Sequence, residues 1–237
     1  MIASSNSFSR PASRGYKSES GSVSSQIYYD LRQRILSLEL VPGTSLLRSE
    51  LAKHYNVSLT PLRDALLSLE SDGLVEIFPQ SRTQVTFICE ALIFEALFLR
   101  IALETEVIRH LCRQDVSEVV STARNYISMQ QTIMDQNDRI RMFQELDERF
   151  HRLLFNGAGR ENLYDLLQTR SGNLDRVRRL QVHSAEKMNQ IIQGHTAVIN
   201  AIEAADEETA VREIRNHLRK PPNWVDEFRQ QYSEYFG

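Results

Sequence analysis

With 237 residues, 41% apolar and 25% charged positions and only 9 glycines, the chain is a helix-leaning globular one, long enough for two domains; a fibrous, disulfide-built or wholly disordered protein is excluded. The formal charge is −3, with nine Lys/Arg against eight Asp/Glu in residues 1–88 and nineteen against twenty-three in the remainder, so charge alone points to no polyanionic partner. No run approaches the roughly 20 apolar residues of a membrane span and no short apolar leader opens the chain, so the expectation is a cytoplasmic protein with no membrane partner, whose distant Cys89 and Cys112 are reduced thiols.

Residues 1–22 are Ser-rich with scattered Arg and no apolar period, which predicts a disordered tail. Ile27, Leu31, Ile35 and Leu38 then recur at helical spacing behind Ser24 or Ser25 as N-cap, and Val41-Pro42-Gly43-Thr44 ends that helix. A second helix is predicted over about Arg48 to Tyr55, with Asn56 suited to a left-handed stop. Thr60 is read as the cap of a third, whose buried face is Leu62, Ala65, Leu66 and Leu69. Two helices joined this tightly make a helix-turn-helix. After Asp72-Gly73, residues 74–78 and 83–87 alternate as a strand pair, a wing. From Cys89 onward only helical periodicity remains, near 90–113, 116–136, 141–157, 160–180, 184–205 and 207–219. The predicted division is therefore tail 1–22, winged helix-turn-helix 23–88, all-α domain 89–222 and C-terminal tail 223–237.

In a helix-turn-helix the second helix offers its exposed face to the major groove. The candidate DNA contacts are Arg48, Ser58, Thr60 and Arg63 on the helices and Gln80, Ser81, Arg82 and Thr83 in the wing. In the helical domain, Asp147 and His151 share the apolar face made by Phe143, Leu146, Phe150 and Leu154. Four residues apart, they stack on one side of a helix, and an inward carboxylate needs a partner, for which a metal suits both groups. His195 and His217 also sit on apolar faces, whereas His54, His110 and His183 read as ordinary surface or interface residues.

The ordered run Leu38 to Gly43, Leu51-Ala52, Val57 to Leu66, Leu69 and Asp72 to Val75 resembles the GntR family of bacterial regulators over residues 24–88. Leu59 stands where that family usually has Arg, and Arg82 replaces the wing glycine. Residues 90–220 resemble the family's FCD-type C-terminal domain, on the order Asp147, His151, Gly194-His195 and Asn216-His217-Leu218.

The resemblance implies a six- or seven-helix bundle, usually dimeric, with one divalent metal per subunit on Asp147, His151, His195 and His217, zinc or nickel being expected. It also implies that Arg100 projects into a pocket to pair a small carboxylate effector; Asn173 and Arg170 are further effector candidates. The expected function is a homodimeric repressor reading an inverted-repeat operator in double-stranded DNA. The alternatives are a structural metal, a metal-free acyl-ligand pocket, or a metal-dependent hydrolase. For the last, Glu148 is turned from the Asp147 face and no general base is evident.

Overall fold

A computed structural model describes residues 22–79, 82–133, 139–181, 185–221 and 223–237; the predicted tail before Ser22 lies outside them. The N-terminal unit holds α1 (Val23–Leu36), β1 (Ser45–Leu46), α2 (Arg48–Tyr55), α3 (Leu59–Ser71), β2 (Val75–Ile77) and β3 (Thr83–Val85). Ser22, rather than Ser24 or Ser25, caps α1, its hydroxyl accepting from the Ser25 amide at 3.2 Å. Ser58, one residue before the helix, is the N-cap of α3, so Thr60 lies inside the first turn. Asn56 takes the expected left-handed conformation at φ 53°, which lets Val57 turn back and donate to the Ala52 carbonyl at 3.0 Å.

The strands form an antiparallel sheet in the order β1-β3-β2, pairing Leu46 with Thr83 and Val75 with Val85. The strand β1 was not foreseen; two residues carry too little pattern to read. Leu31, Ile35, Leu51, Leu62, Leu66, Leu69 and Leu74 are fully buried between helices and sheet.

The C-terminal unit contains α4 (Glu90–Leu111), α5 (Ser117–Thr132), α6 (Arg139–Gly157), α7 (Glu161–Arg170), α8 (Gly172–Gln181), α9 (Ala185–Glu203) and α10 (Glu207–Leu218). The segment expected as one helix over 160–180 breaks at Ser171 into α7 and α8. Helix α10 packs on α9 and α4, while α5 lies across α6 and α9. Phe143, Phe150, Leu154 and Phe155 from α6 fill the centre with Ile108, Val198, Ile199 and Ile214.

Residues 223–237, expected as a tail, are folded. Trp224–Gln231 forms α11, followed by a 3-10 turn at Ser233–Tyr235. Trp224, Val225 and Phe228 lie on one side of that short helix and are buried against Ile88, Ile93, Ala96, Leu174 and Val177 at the junction of the two units.

The junction is also polar. Arg176 is fully buried and donates to the Thr86 carbonyl at 2.6 Å and to Asn173 Oδ1 at 2.9 Å. Asn173 Oδ1 also accepts from the Cys89 amide at 2.9 Å, and Arg32 of α1 reaches the Gln168 carbonyl at 2.9 Å. Burial pushes the Arg176 guanidinium down to about 10, still charged at neutral pH.

Gly172 opens α8 hard against the N-terminal unit, and a Cβ there would lie 2.6 Å from Leu74 Cδ2. Gly172→Ala is therefore expected to destabilise the protein by about 1–3 kcal/mol through overpacking, measured by urea unfolding. An unchanged midpoint would show that the junction tolerates separation there.

Candidate metal centre and DNA-binding surface

Helix α6 brings Asp147 and His151 inward one turn apart, α9 adds His195 and α10 adds His217. One ligand atom from each lies within 4.8 Å of the others. Asp147, His151 and His195 are buried and His217 is half-buried. His151 Nε2 stands 3.4 Å from His217 Nε2 and 3.9 Å from Asp147 Oδ1, which is itself 3.4 Å from His195 Nε2. The approach of α10 to α9 depends on Gly194, where a Cβ would meet His217 Nδ1 at 2.6 Å.

The outer atoms of two rings are held from behind. His151 Nδ1 contacts Glu104 Oε2 at 2.7 Å, and His195 Nδ1 contacts Gln130 Oε1 at 3.1 Å. Oxygen acceptors at Nδ1 place the proton there and leave both Nε2 lone pairs facing the cluster. Burial pushes His151 down to about 4 despite Glu104, and burial also holds His217 well below its usual range. Both rings are therefore neutral donors at pH 7.

Glu104, fully buried, also accepts from Arg100 Nε at 2.6 Å. Burial opposes its charge, but His151 and Arg100 bring it down to about 2. Asp147 is likewise held well below the carboxylate range, where Arg178 outweighs the cost of burial by donating to Asp147 Oδ2.

Asp147 Oδ1 and His195 Nε2 are buried with no hydrogen-bond partner. Orphaned acceptors facing one another are costly, and a divalent cation between them would satisfy both. Three imidazoles and one carboxylate are a suitable donor set for one.

Beside the cluster lies a cavity of about 160 Å³ bordered by Asp147, His217, Arg100, Arg178, Lys187 and Lys220. Arg100 lines the cavity and is paired there with Glu104. Asn173 does not line the cavity; its carbonyl oxygen is used by Cys89 and Arg176 at the junction. Arg170 is exposed at the end of α7 and is also absent from the lining. Glu104, Arg178 and Lys220 were missed. The four-residue spacing of Arg100 and Glu104 among apolar neighbours was a readable signal, whereas Arg178, inside Arg176-Val177-Arg178-Arg179, reads as part of a solvated basic run.

On the N-terminal unit, Ser58, Thr60 and Arg63 are exposed along the start of α3, with Leu59 between them 61% exposed. Arg48 is exposed at the start of α2, its Nε 3.4 Å from Thr83 Oγ1. Thr83 itself is fully buried in β3, so its proposed DNA contact is withdrawn: the side chain points into the core face of the sheet. Arg82 is exposed at the wing with its guanidinium 4.9 Å over the Phe78 ring. Gln80 and Ser81 lie outside the described residues.

No helix among the described residues is long and apolar enough to cross a membrane. Residues 23–85 match the family described as bacterial regulatory proteins, gntR family, and residues 95–220 match the FCD domain. An uncharacterised HTH-type transcriptional regulator from an unstable DNA locus of Streptomyces ambofaciens is 33% identical over 89% of this chain and 88% of that protein. The HTH-type transcriptional repressor RspR of Escherichia coli strain K12 is 29% identical over 91% of this chain and 94% of that protein. The solved structure of E. coli McbR/YncC has the same fold, with a TM-score of 0.74 at 17% identity, covering 90% of this chain and all of that one. A helix-turn-helix with a wing, joined to a helical bundle matching the FCD domain, makes the chain a member of the GntR family of bacterial transcriptional regulators, not an enzyme.

Proposed function

We propose that the chain is a homodimeric repressor that reads an inverted-repeat operator and is controlled by a small organic acid bound beside a metal ion in the helical domain. The observation that carries this reading is the convergence of Asp147, His151, His195 and His217, with two orphaned acceptors, at the wall of a cation-lined cavity. A bound zinc or nickel ion would supply a Lewis-acidic anchor for a carboxylate. Arg100 and Arg178 add charge-assisted donors at the same wall. Such a regulator works where the DNA is, in the cytoplasm.

The cavity bears on the alternatives. A purely structural metal has its donors closed off from solvent and ligand, whereas Asp147 and His217 here border open space. A volume of about 160 Å³ favours a small acid over a long acyl ligand, since roughly 150 Å³ holds a molecule the size of benzene.

The test is elemental analysis of the purified protein and of an Asp147→Ala, His195→Ala double variant, with thermal unfolding of both across short organic acids. About one metal per subunit in the wild type, lost in the variant together with any acid-dependent stabilisation, is expected. Absence of metal from the wild type after incubation with zinc or nickel overturns the reading.

For the DNA surface, Arg63→Ala is expected to weaken operator binding by about 1–3 kcal/mol without changing thermal stability, measured by fluorescence anisotropy on an operator selected from random duplexes. Undiminished binding would remove α3 from the reading surface.

A further inference from the structure

The cavity holds more positive charge than one carboxylate can use, and we propose that its ligand is a short dicarboxylate whose second acidic group is held by Lys220. This assignment rests on the acid-sensing reading above. Arg100, Arg178, Arg219 and Lys220 line the space, against the single carboxylate of Asp147. Arg100 is already paired with Glu104, and Arg178 with Asp147. Lys220 is half-buried, with its ammonium 5.4 Å over the Trp224 ring, and no carboxylate among the described residues is paired with it. Burial, then the charges of Arg178 and Lys187, push that ammonium down to about 7, so an anion beside it would restore its full charge. The volume of about 160 Å³, beside roughly 150 Å³ for a benzene-sized molecule, favours a short diacid over a long one.

The experiment is calorimetric titration of the metal-loaded protein with two matched pairs, succinate against butyrate and glutarate against valerate. In the wild type at least one diacid binds about tenfold or more tighter than its monoacid, the scale of one charge-assisted hydrogen bond. Lys220→Gln abolishes that preference and Lys220→Arg keeps it. Equal binding within both pairs, or a preference that survives Lys220→Gln, overturns the assignment and leaves acid sensing standing. No binding of any of the four acids overturns both.

A second inference comes from residues 223–237, which lie beyond the stretch matching the FCD domain. The geometry points to a strap that fixes the joint between the two units and so sets the placement of the DNA-binding surface. The Ile88 amide donates to the Tyr235 carbonyl at 2.8 Å, and Ile88 pairs with Phe236 in a parallel bridge. Arg229 pairs with Glu90 at the start of α4. A Cβ on Gly237 would lie 3.1 Å from Phe87 Cβ. Every one of these contacts falls on residues 87–90, the end of the short connection after β3 and the first residue of α4.

Ending the chain after Tyr232 removes the Ile88–Tyr235 hydrogen bond and the Ile88–Phe236 bridge while keeping Trp224 and Phe228 packed at the junction. Hydrogen exchange at the Ile88 amide is expected to quicken at least about tenfold, with α9 amides unchanged. Affinity for the selected operator should change at least about threefold, because a loosened joint spreads the winged unit over more orientations. Retained protection at Ile88, or unchanged operator affinity whatever the exchange rate, overturns the strap.

Discussion

A carboxylate buried among three imidazoles organises the helical domain. Asp147 is 3% exposed, and an ionised carboxylate withdrawn from water costs several kcal/mol unless it is paired. Its Oδ2 receives Arg178 from α8, and its Oδ1 faces His195 with no hydrogen-bond partner. The arrangement is half-satisfied by protein groups, and under the proposed function a cation held by these donors would supply the rest. Glu104 and Gln130 complete it from behind by turning His151 and His195 so that Nε2 faces inward.

Helix α8 links this centre to the rest of the molecule. Arg178 holds Asp147, while Arg176 and Asn173, two and five residues earlier, hold Thr86 and Cys89 at the joint. Under the proposed function, a group entering the cavity would compete with Asp147 for Arg178 or join it, and either would bear on the helix against which α1 of the winged unit packs. Packed elements transmit small displacements because interiors are dense, and Gly172 leaves no slack between α8 and Leu74. The proposed coupling between acid and operator would run through a single ten-residue helix that contacts both the centre and the joint.

The sequence made legible what depends on periodicity and local chemistry. The helix-turn-helix followed from Leu62, Ala65, Leu66 and Leu69 and from Asn56, whose short polar side chain tolerates φ near +53°. The four metal candidates stood out because His and Asp on apolar faces are anomalous. Long-range partners were not legible. Thr83 reads as a polar wing residue, yet strand alternation buries it. Asn173 looks like a ligand donor until the Cys89 amide is seen on its oxygen. Residues 223–237 were read as a tail because Trp224, Val225 and Phe228 span barely one helical turn, too short a period to announce a packed element.

The most direct measurement of the central claim is X-ray absorption at the metal edge of the zinc- or nickel-loaded protein, with and without saturating succinate. The account predicts a first shell of three imidazole nitrogens and carboxylate oxygen, lost on Asp147→Ala, with light-atom scattering that changes when the acid is added. A shell containing sulfur, or one unaltered by Asp147→Ala, would contradict it and place the metal elsewhere.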